Sequence, residues 1–440
     1  MTRNPVRLIP VLFLAAIALG TLMLWLPLAT AEGGAPPLMT ALFTATSAVA
    51  VTGLIVVDTP TYWSAFGQTI ILILFQIGGF GIMTAATLLG LVAGRTFRLR
   101  DRMATQIERS RIDVGDARSV LRLVFVITLA VETVVFAILT LRLRLTYSYE
   151  WGEAAWHGAF QAVSAFNNAG FSTYSDSMMG FQTDPVMLWP IMIAVIITAL
   201  GFPVMQELRY RPFAFKRWTL HSKITVAATV ILLVFGFLFV LVAEWGNADT
   251  LGPMAVADKM LNAMFHSVMP RTAGFNSLNV GSFRDETLLM NYVLMFIGGG
   301  SAGTAGGIKI TTFVLLLMIV LSEVRGQRDA VLFGRRVSRD VERQALSVTV
   351  LAATLIGIAS AIILATTDLP PRDVFFETVS AFSTVGLSTG ATAQLGTIGE
   401  LVIIVLMFVG RVGTITVATA LALGAARKPY RYPEENPIVG

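Results

Sequence analysis

The chain has 440 residues, 55% of them apolar and only 13% charged, with a net charge of +5 and a mean hydropathy of +0.73. A soluble protein of this size needs far more charge to cover its surface, so an integral membrane protein is expected. The lack of cysteine excludes disulfides and thiolate metal sites, and three scattered histidines (His157, His221, His266) have no metal-ligand spacing.

In chain order, the first apolar run is Leu8 to Leu28. It follows Arg3 and Arg7 as a signal core would, but it is too long for one, so it reads as a retained first span. The short segment "FTATSAVAVTGL" (Phe43–Leu54) and a second run, Phe66–Val92, come next. Beyond a basic stretch lie the run Leu123–Leu141, "FQAVSAFNNAGF" (Phe160–Phe171) and the run Val186–Met205. The order returns as Ile224–Val242, "MFHSVMPRTAGF" (Met264–Phe275) and Leu288–Leu321, and again as Val348–Ala365, "FETVSAFSTVGL" (Phe376–Leu387) and Ile398–Leu423. A hydrocarbon core takes about 20 apolar residues per helix, so each long run is a candidate span.

The four short segments align without gaps. Each opens on a large apolar residue and ends in glycine followed by Leu or Phe, and three carry a central Ser-Ala pair. Their glycines, Gly53, Gly170, Gly274 and Gly386, are spaced by 117, 104 and 112 residues. This periodicity predicts an all-α membrane protein of eight transmembrane helices, arranged as four parallel repeats of span, pore half-helix and span around a pseudo-fourfold axis. Two spans per repeat return the chain to the same side, which makes the repeats parallel. The expected units are 1–100, 112–212, 218–325 and 340–425, with a tail at 426–440. Of the 32 Lys and Arg, 23 fall in the termini and the inter-repeat loops, against six on the opposite side. The positive-inside rule puts both termini in the cytoplasm and the glycine-ended loops toward the outside.

Non-helical backbone at membrane depth is tolerated where it is buried in protein or lines a watery path. Four such loops at one axis can offer rings of carbonyls that replace a cation's hydration shell. Each half-helix would aim the negative end of its dipole at the centre. With no carboxylate ring in these segments, the arrangement suits a monovalent cation better than a divalent one. The competing reading is that the glycines only let re-entrant helices pack closely.

The repeats and the motifs "TSAVAVTGL", "AFNNAGF", "PRTAGFN" and "STVGLSTG" resemble those of the Trk/Ktr/HKT potassium transporters over nearly the whole chain, most closely the Ktr membrane subunit. The resemblance implies a potassium-channel-like fold, sodium-dependent potassium uptake, and no organic cofactor. It also implies a homodimer in the lipid of the plasma membrane, with a cytosolic nucleotide-binding regulatory ring beneath it. Carried over by position, the potassium filter is Ala50, Val51, Thr52 and Gly53; Asn167, Asn168, Ala169 and Gly170; Arg271, Thr272, Ala273 and Gly274; and Ser383, Thr384, Val385 and Gly386. Gly53 stands where some sodium-selective plant relatives have serine, which favours potassium.

The run Leu288–Leu321 is interrupted by "GGGSAGTAGG". Its 34 residues would reach about 50 Å as one helix, against ~30 Å of hydrocarbon, so a broken helix is expected. A loop on the pore side can obstruct the path, and in the family this segment is a gate. The expected gate comprises Gly298, Gly299, Gly300, Ser301, Gly303, Thr304, Gly306 and Gly307, with Lys309 and Arg411. Arg411, mid-span, needs acceptors, and the carbonyls of the loop are the candidates. Small-residue helix packing is the alternative for the glycines, and snorkelling or local pairing for Lys309. A Walker reading fails, because Gly298, Gly303 and Lys309 lack G-x-x-x-x-G-K-[ST] order.

Arg271 is expected to point behind the filter and brace loop carbonyls or acidic neighbours. Asn167, Asn168 and Asn276 brace loops or satisfy turns, and Glu132 is expected to make a structural hydrogen bond. The rival functions are alternating access, which usually predicts inverted repeats, a non-conducting scaffold, and an intramembrane enzyme. An enzyme lacks the clustered acid, base or nucleophile it would need, so none is expected. Nucleic acid is not an expected partner either. The chain holds no soluble nucleotide-binding domain, so control by a nucleotide would require another subunit.

Overall fold

The computed structural model describes residues 5–101, 117–212, 214–327 and 329–413. Residues 102–116 of the first basic loop, the end of the fourth unit (414–425) and the expected tail at 426–440 lie outside the described residues.

The first unit comprises α1 (Pro5–Leu24), α2 (Leu38–Val49), the single turn α3 (Thr59–Tyr62) and α4 (Ala65–Asp101). The second has α5 (Ala117–Thr146), α6 (Trp151–Asn167), α7 (Pro185–Leu200) and α8 (Phe202–Tyr210). The third has α9 (Leu220–Glu244), α10 (Val256–Val268), α11 (Asp285–Phe296) and α12 (Ile310–Val324). The fourth has α13 (Arg339–Thr366), α14 (Pro371–Ser383) and α15 (Gly396–Phe408), which continues as a π-helical turn to Gly413.

Two features qualify the expectation of an all-α chain with eight spans. A two-stranded ribbon, β1 (Val331–Leu332) with β2 (Arg335–Arg336), interrupts the third basic loop. Its turn residues Phe333 and Gly334 both have positive φ, as tight hairpins require. Among the described residues, five helices are long and apolar enough to cross a membrane, and α7 with α8 makes a sixth if that bent pair is one span. The other apolar stretches, Ile9–Leu24 and the separated α11 and α12, are shorter. The α7–α8 bend is 99°. It falls at Gly201, whose φ of +85° no helix contains, and Pro203 then occupies the first turn of α8, where its missing N–H costs no helical bond.

The packing closes a circle. Within each unit the first helix lies on the short one: α1 on α2, α5 on α6, α9 on α10 and α13 on α14. Between units α4 meets α6, α7 meets α10, α11 meets α14, and α15 returns to α2. The short helices are consequently the core, and the opening Phe43, Phe160 and Phe376 are fully buried. The outer helices present bare apolar faces, such as Val230, Ile231, Val234 and Leu238 on α9. A helix apolar on its exposed side has lipid as its solvent, so the chain is a multi-pass membrane protein.

Candidate functional site

The repeated segments meet at their glycine ends. Gly53, Gly170, Gly274 and Gly386 have φ between +70° and +91°, where a Cβ is strained. Two residues before each, Val51, Asn168, Thr272 and Thr384 also have positive φ, between +50° and +66°. The loops therefore share one alternating backbone path. They also share their contacts. A Cβ on Gly53 would lie 2.3 Å from the Ala169 carbonyl oxygen, on Gly170 2.9 Å from that of Ala273, on Gly274 2.6 Å from that of Val385, and on Gly386 2.1 Å from that of Thr52. In every case the atom met is the carbonyl before the next unit's glycine, and the fourth unit returns to the first. The ring is closed.

Local chemistry explains the recurring letters. The Ser47 hydroxyl donates to the Leu54 carbonyl (2.7 Å) and accepts from the Gly53 N–H (3.1 Å). Ser164 donates to the Phe171 carbonyl (2.7 Å), and Ser380 accepts from the Gly386 N–H (3.2 Å). One hydroxyl near the helix end thus holds the turn that the glycine makes. The third unit has Val268 at this position, fully buried. The large residue after each glycine (Leu54, Phe171, Phe275, Leu387) is at most 1% exposed and anchors its loop in the core. Sequence reasoning noticed the serines without assigning them this work.

It missed a second brace altogether. Nine residues before their glycines, Gln161 and Glu377 hold the chain that leaves the ring. Gln161 donates to Ser172 (2.7 Å). The carboxylate of Glu377 accepts from Ser388 (2.7 Å), the Thr389 N–H (3.0 Å) and Thr392. A carboxylate in an apolar half-helix was the available signal, since such a group must find donors.

The other expected positions are placed as follows. Asn168 accepts from Thr198 (2.6 Å) and donates to the Arg271 carbonyl (3.4 Å), tying the second loop to the third. Asn167 donates to Gln76 and to the Val163 carbonyl (2.9 Å). Asn276 donates to the Leu278 carbonyl (3.1 Å), a local turn. Arg271 is buried, and its Nε and Nη2 have no acceptor among the described residues. Glu132 interacts with Gln76 and Asn167, as a structural hydrogen bond requires, while its Oε1 has no partner among the described residues.

Residues 298–307 form a loop pinched at its base. The Gly298 N–H donates to the Ile308 carbonyl (2.9 Å) and the Ile308 N–H to that of Phe296 (3.2 Å). One side rests on the α7–α8 break, where Gly300 N–H donates to the Ala199 carbonyl (2.7 Å) and Phe202 N–H to that of Ala302 (3.2 Å). The other side touches the ring loops. Gly306 N–H donates to Thr272 Oγ1 (3.3 Å), and a Cβ on Gly306 would stand 2.0 Å from Thr384 Oγ1. Close approach is what these glycines provide: a Cβ would fall 1.9 Å from a carbonyl oxygen at Gly298, 2.3 Å at Gly300 and 2.6 Å at both Gly299 and Gly303. Gly307 adds a φ of +64°.

Two cations hold neighbouring carbonyls of this loop. Arg411 Nη1 donates to Thr304 O, and Lys309 Nζ donates to Ala305 O at 2.6 Å. Arg411 sits in the π turn, is 2% exposed, and its Nε and Nη2 have no acceptor among the described residues. No ion pair there neutralises either cation. The remaining polar atoms at this seam, Thr304 Oγ1, Ser383 Oγ and Thr384 Oγ1, are buried without partners.

Comparison with known proteins adds an independent line. Residues 3–426 match the family TrkH, described as cation transport protein. The Ktr system potassium uptake protein B of Bacillus subtilis is 38% identical, with 99% of this chain and 97% of that protein aligned. The potassium/sodium uptake protein NtpJ of Enterococcus hirae is 35% identical over the same shares. The crystal structure of the potassium transporter TrkH from Vibrio parahaemolyticus has the same fold, with a TM-score of 0.75 at 18% identity, covering 94% of this chain and 84% of that one. These relatives are transporters, which decides against an enzyme. With a family match spanning almost the whole chain and relatives aligned end to end, the protein belongs to the TrkH cation transport family, as a Ktr/Trk-type membrane subunit of the Trk/Ktr/HKT superfamily.

Proposed function

We propose that the chain is the ion-translocating subunit of a potassium uptake system in the cytoplasmic membrane. The observation that carries this reading is the closed ring of four glycines, each preceded by the carbonyl that the neighbouring glycine meets. Alternating positive and negative φ turns successive carbonyls to one side, and stacked rings of carbonyls replace the hydration shell of a monovalent cation. The short helices that end at the ring aim their negative dipole ends at it. In this reading the chain makes four parallel repeats and eight spans, counting the broken ones, with both termini in the cytoplasm.

Below the ring, residues 298–307 act as the gate. Arg411 and Lys309 occupy carbonyls that a passing cation would otherwise use, and their charge opposes its passage. Potassium is favoured as the ion by the names of the relatives, and sodium dependence by the potassium/sodium uptake name of one of them. A cytosolic nucleotide-binding partner and a homodimer complete the proposal. Support for the partner comes from the description of two Bacillus subtilis relatives, proteins B and D, as parts of a Ktr system.

The test is rubidium uptake by purified protein in potassium-loaded liposomes, with external sodium or lithium added separately. Uptake competed by potassium and stimulated by sodium is expected, and Arg411→Ala should raise the uptake seen without any partner about tenfold. Failure of both the wild type and Arg411→Ala to take up rubidium, each being folded, overturns the function. Unchanged uptake in the variant overturns the role of Arg411 alone.

A further inference from the structure

Above the ring lies a cavity of about 320 Å³ whose floor includes all four ring glycines. Hydroxyls, amides and main chain make up about half of its walls, and Ile55, Pro60, Phe171 and Val280 are among the apolar remainder. Among the described residues that line it, only Asp58 carries a charge. The volume accommodates on the order of ten waters, enough for a small cation that keeps most of its hydration.

The position of Asp58 in the repeat explains why this charge is single. Counting five residues past each ring glycine gives Asp58, Ser175, Asn279 and Ala391 in turn. The first two are equivalent and bonded: Ser175 Oγ donates to Asp58 Oδ2 at 2.6 Å. Thr61 Oγ1 donates to the same oxygen, also at 2.6 Å. Asn279 caps its own turn by accepting from the Gly281 N–H (3.1 Å), and alanine has nothing to offer. Two hydroxyls thus fix the carboxylate through one oxygen. Oδ1 receives no hydrogen bond among the described residues, and the side chain is only half-buried.

We propose that this cavity is a loading site for one hydrated monovalent cation and that Asp58 is the positioning residue that concentrates the ion above the ring. The inference rests on the function proposed above, including its outward orientation of the ring. One carboxylate among neutral oxygens is far short of the ligand set that strips a divalent ion, which takes several charged oxygens. It is enough to raise the local concentration of a monovalent ion that the ring then dehydrates. Asp58 acts before dehydration, so its influence falls on capture and leaves the maximal rate alone.

The experiment measures rubidium uptake against rubidium concentration for the wild type, Asp58→Asn and Asp58→Glu in the same liposomes. It is run at low ionic strength and with high external N-methylglucamine chloride. Asparagine keeps an oxygen to accept from Ser175 and Thr61 but removes the charge. At low ionic strength Asp58→Asn should raise KM about three- to fivefold with an unchanged maximal rate, the size of one charge acting through water over a few ångström. High salt should shrink the difference below about twofold, and Asp58→Glu should restore most of the affinity. A transporting wild type with an Asp58→Asn variant of equal KM at low salt overturns the loading site and leaves the function standing. A lower maximal rate with no salt-dependent change in KM assigns Asp58 to loop structure and overturns it as well. No uptake by either the wild type or the gate variant Arg411→Ala overturns both proposals.

Discussion

The ring loops and the 298–307 loop are both rich in small residues, yet they use glycine for opposite purposes. In the ring, glycine supplies a left-handed backbone, and each loop is fastened by a hydroxyl, a buried Leu or Phe and its neighbour's carbonyl. In the other loop, most glycines supply only the room to lie against carbonyls of α7 and the hydroxyl of Thr384. That loop has no large side chain to anchor it, and several buried polar atoms along its seam lack partners. Unsatisfied buried polar groups are a reservoir of strain, which fits the gate role proposed for this loop. With the gate proposed above, a rigid structure and a movable one would stand side by side and use the same residue type.

The same substitution should therefore have opposite effects in the two places. Gly386→Ala forces a Cβ to within 2.1 Å of the Thr52 oxygen at a φ of +91°. It should lower rubidium uptake at least a hundredfold in a protein that still elutes as a single folded species. Uptake above half the wild-type level would remove the ring from the ion path. Gly306→Ala places a Cβ 2.0 Å from Thr384 Oγ1, and there the movable partner should yield. Uptake is expected to rise several-fold as the loop is pushed from its seat, and a drop would show that the loop supports the path instead of obstructing it. The smallest effect sharpens the account of the fastenings. Ser47→Ala removes two hydrogen bonds at one corner, of about 1 kcal/mol each. A modest loss of thermal stability and a several-fold relaxation of preference for rubidium over sodium should follow. Identical selectivity would mean that the remaining corners hold the ring unaided.

Much of this arrangement was legible in the sequence because it recurs. The 12-residue segments located the ring, and the break in Leu288–Leu321 located the loop between α11 and α12. The residue two before each glycine was not legible. Asn168 is a type that tolerates positive φ, but Val51, Thr272 and Thr384 are β-branched and give no such sign. Contacts remote in sequence also escaped notice. Nothing in "LGFP" says that the carbonyls freed by a 99° bend will seat a loop a hundred residues later. Helix length recovers five or six of the eight expected spans among the described residues, since hydropathy registers an apolar stretch whether or not its helix is continuous.

One chain closes the ring by itself, which fixes the stoichiometry of opening. On the proposed gating, each path has one 298–307 loop and one Arg411, so each protomer of the proposed homodimer carries a complete path and gate. Currents through one path should switch between two levels without intermediate steps. Diluting the protein to one homodimer per vesicle should leave the flux per chain unchanged.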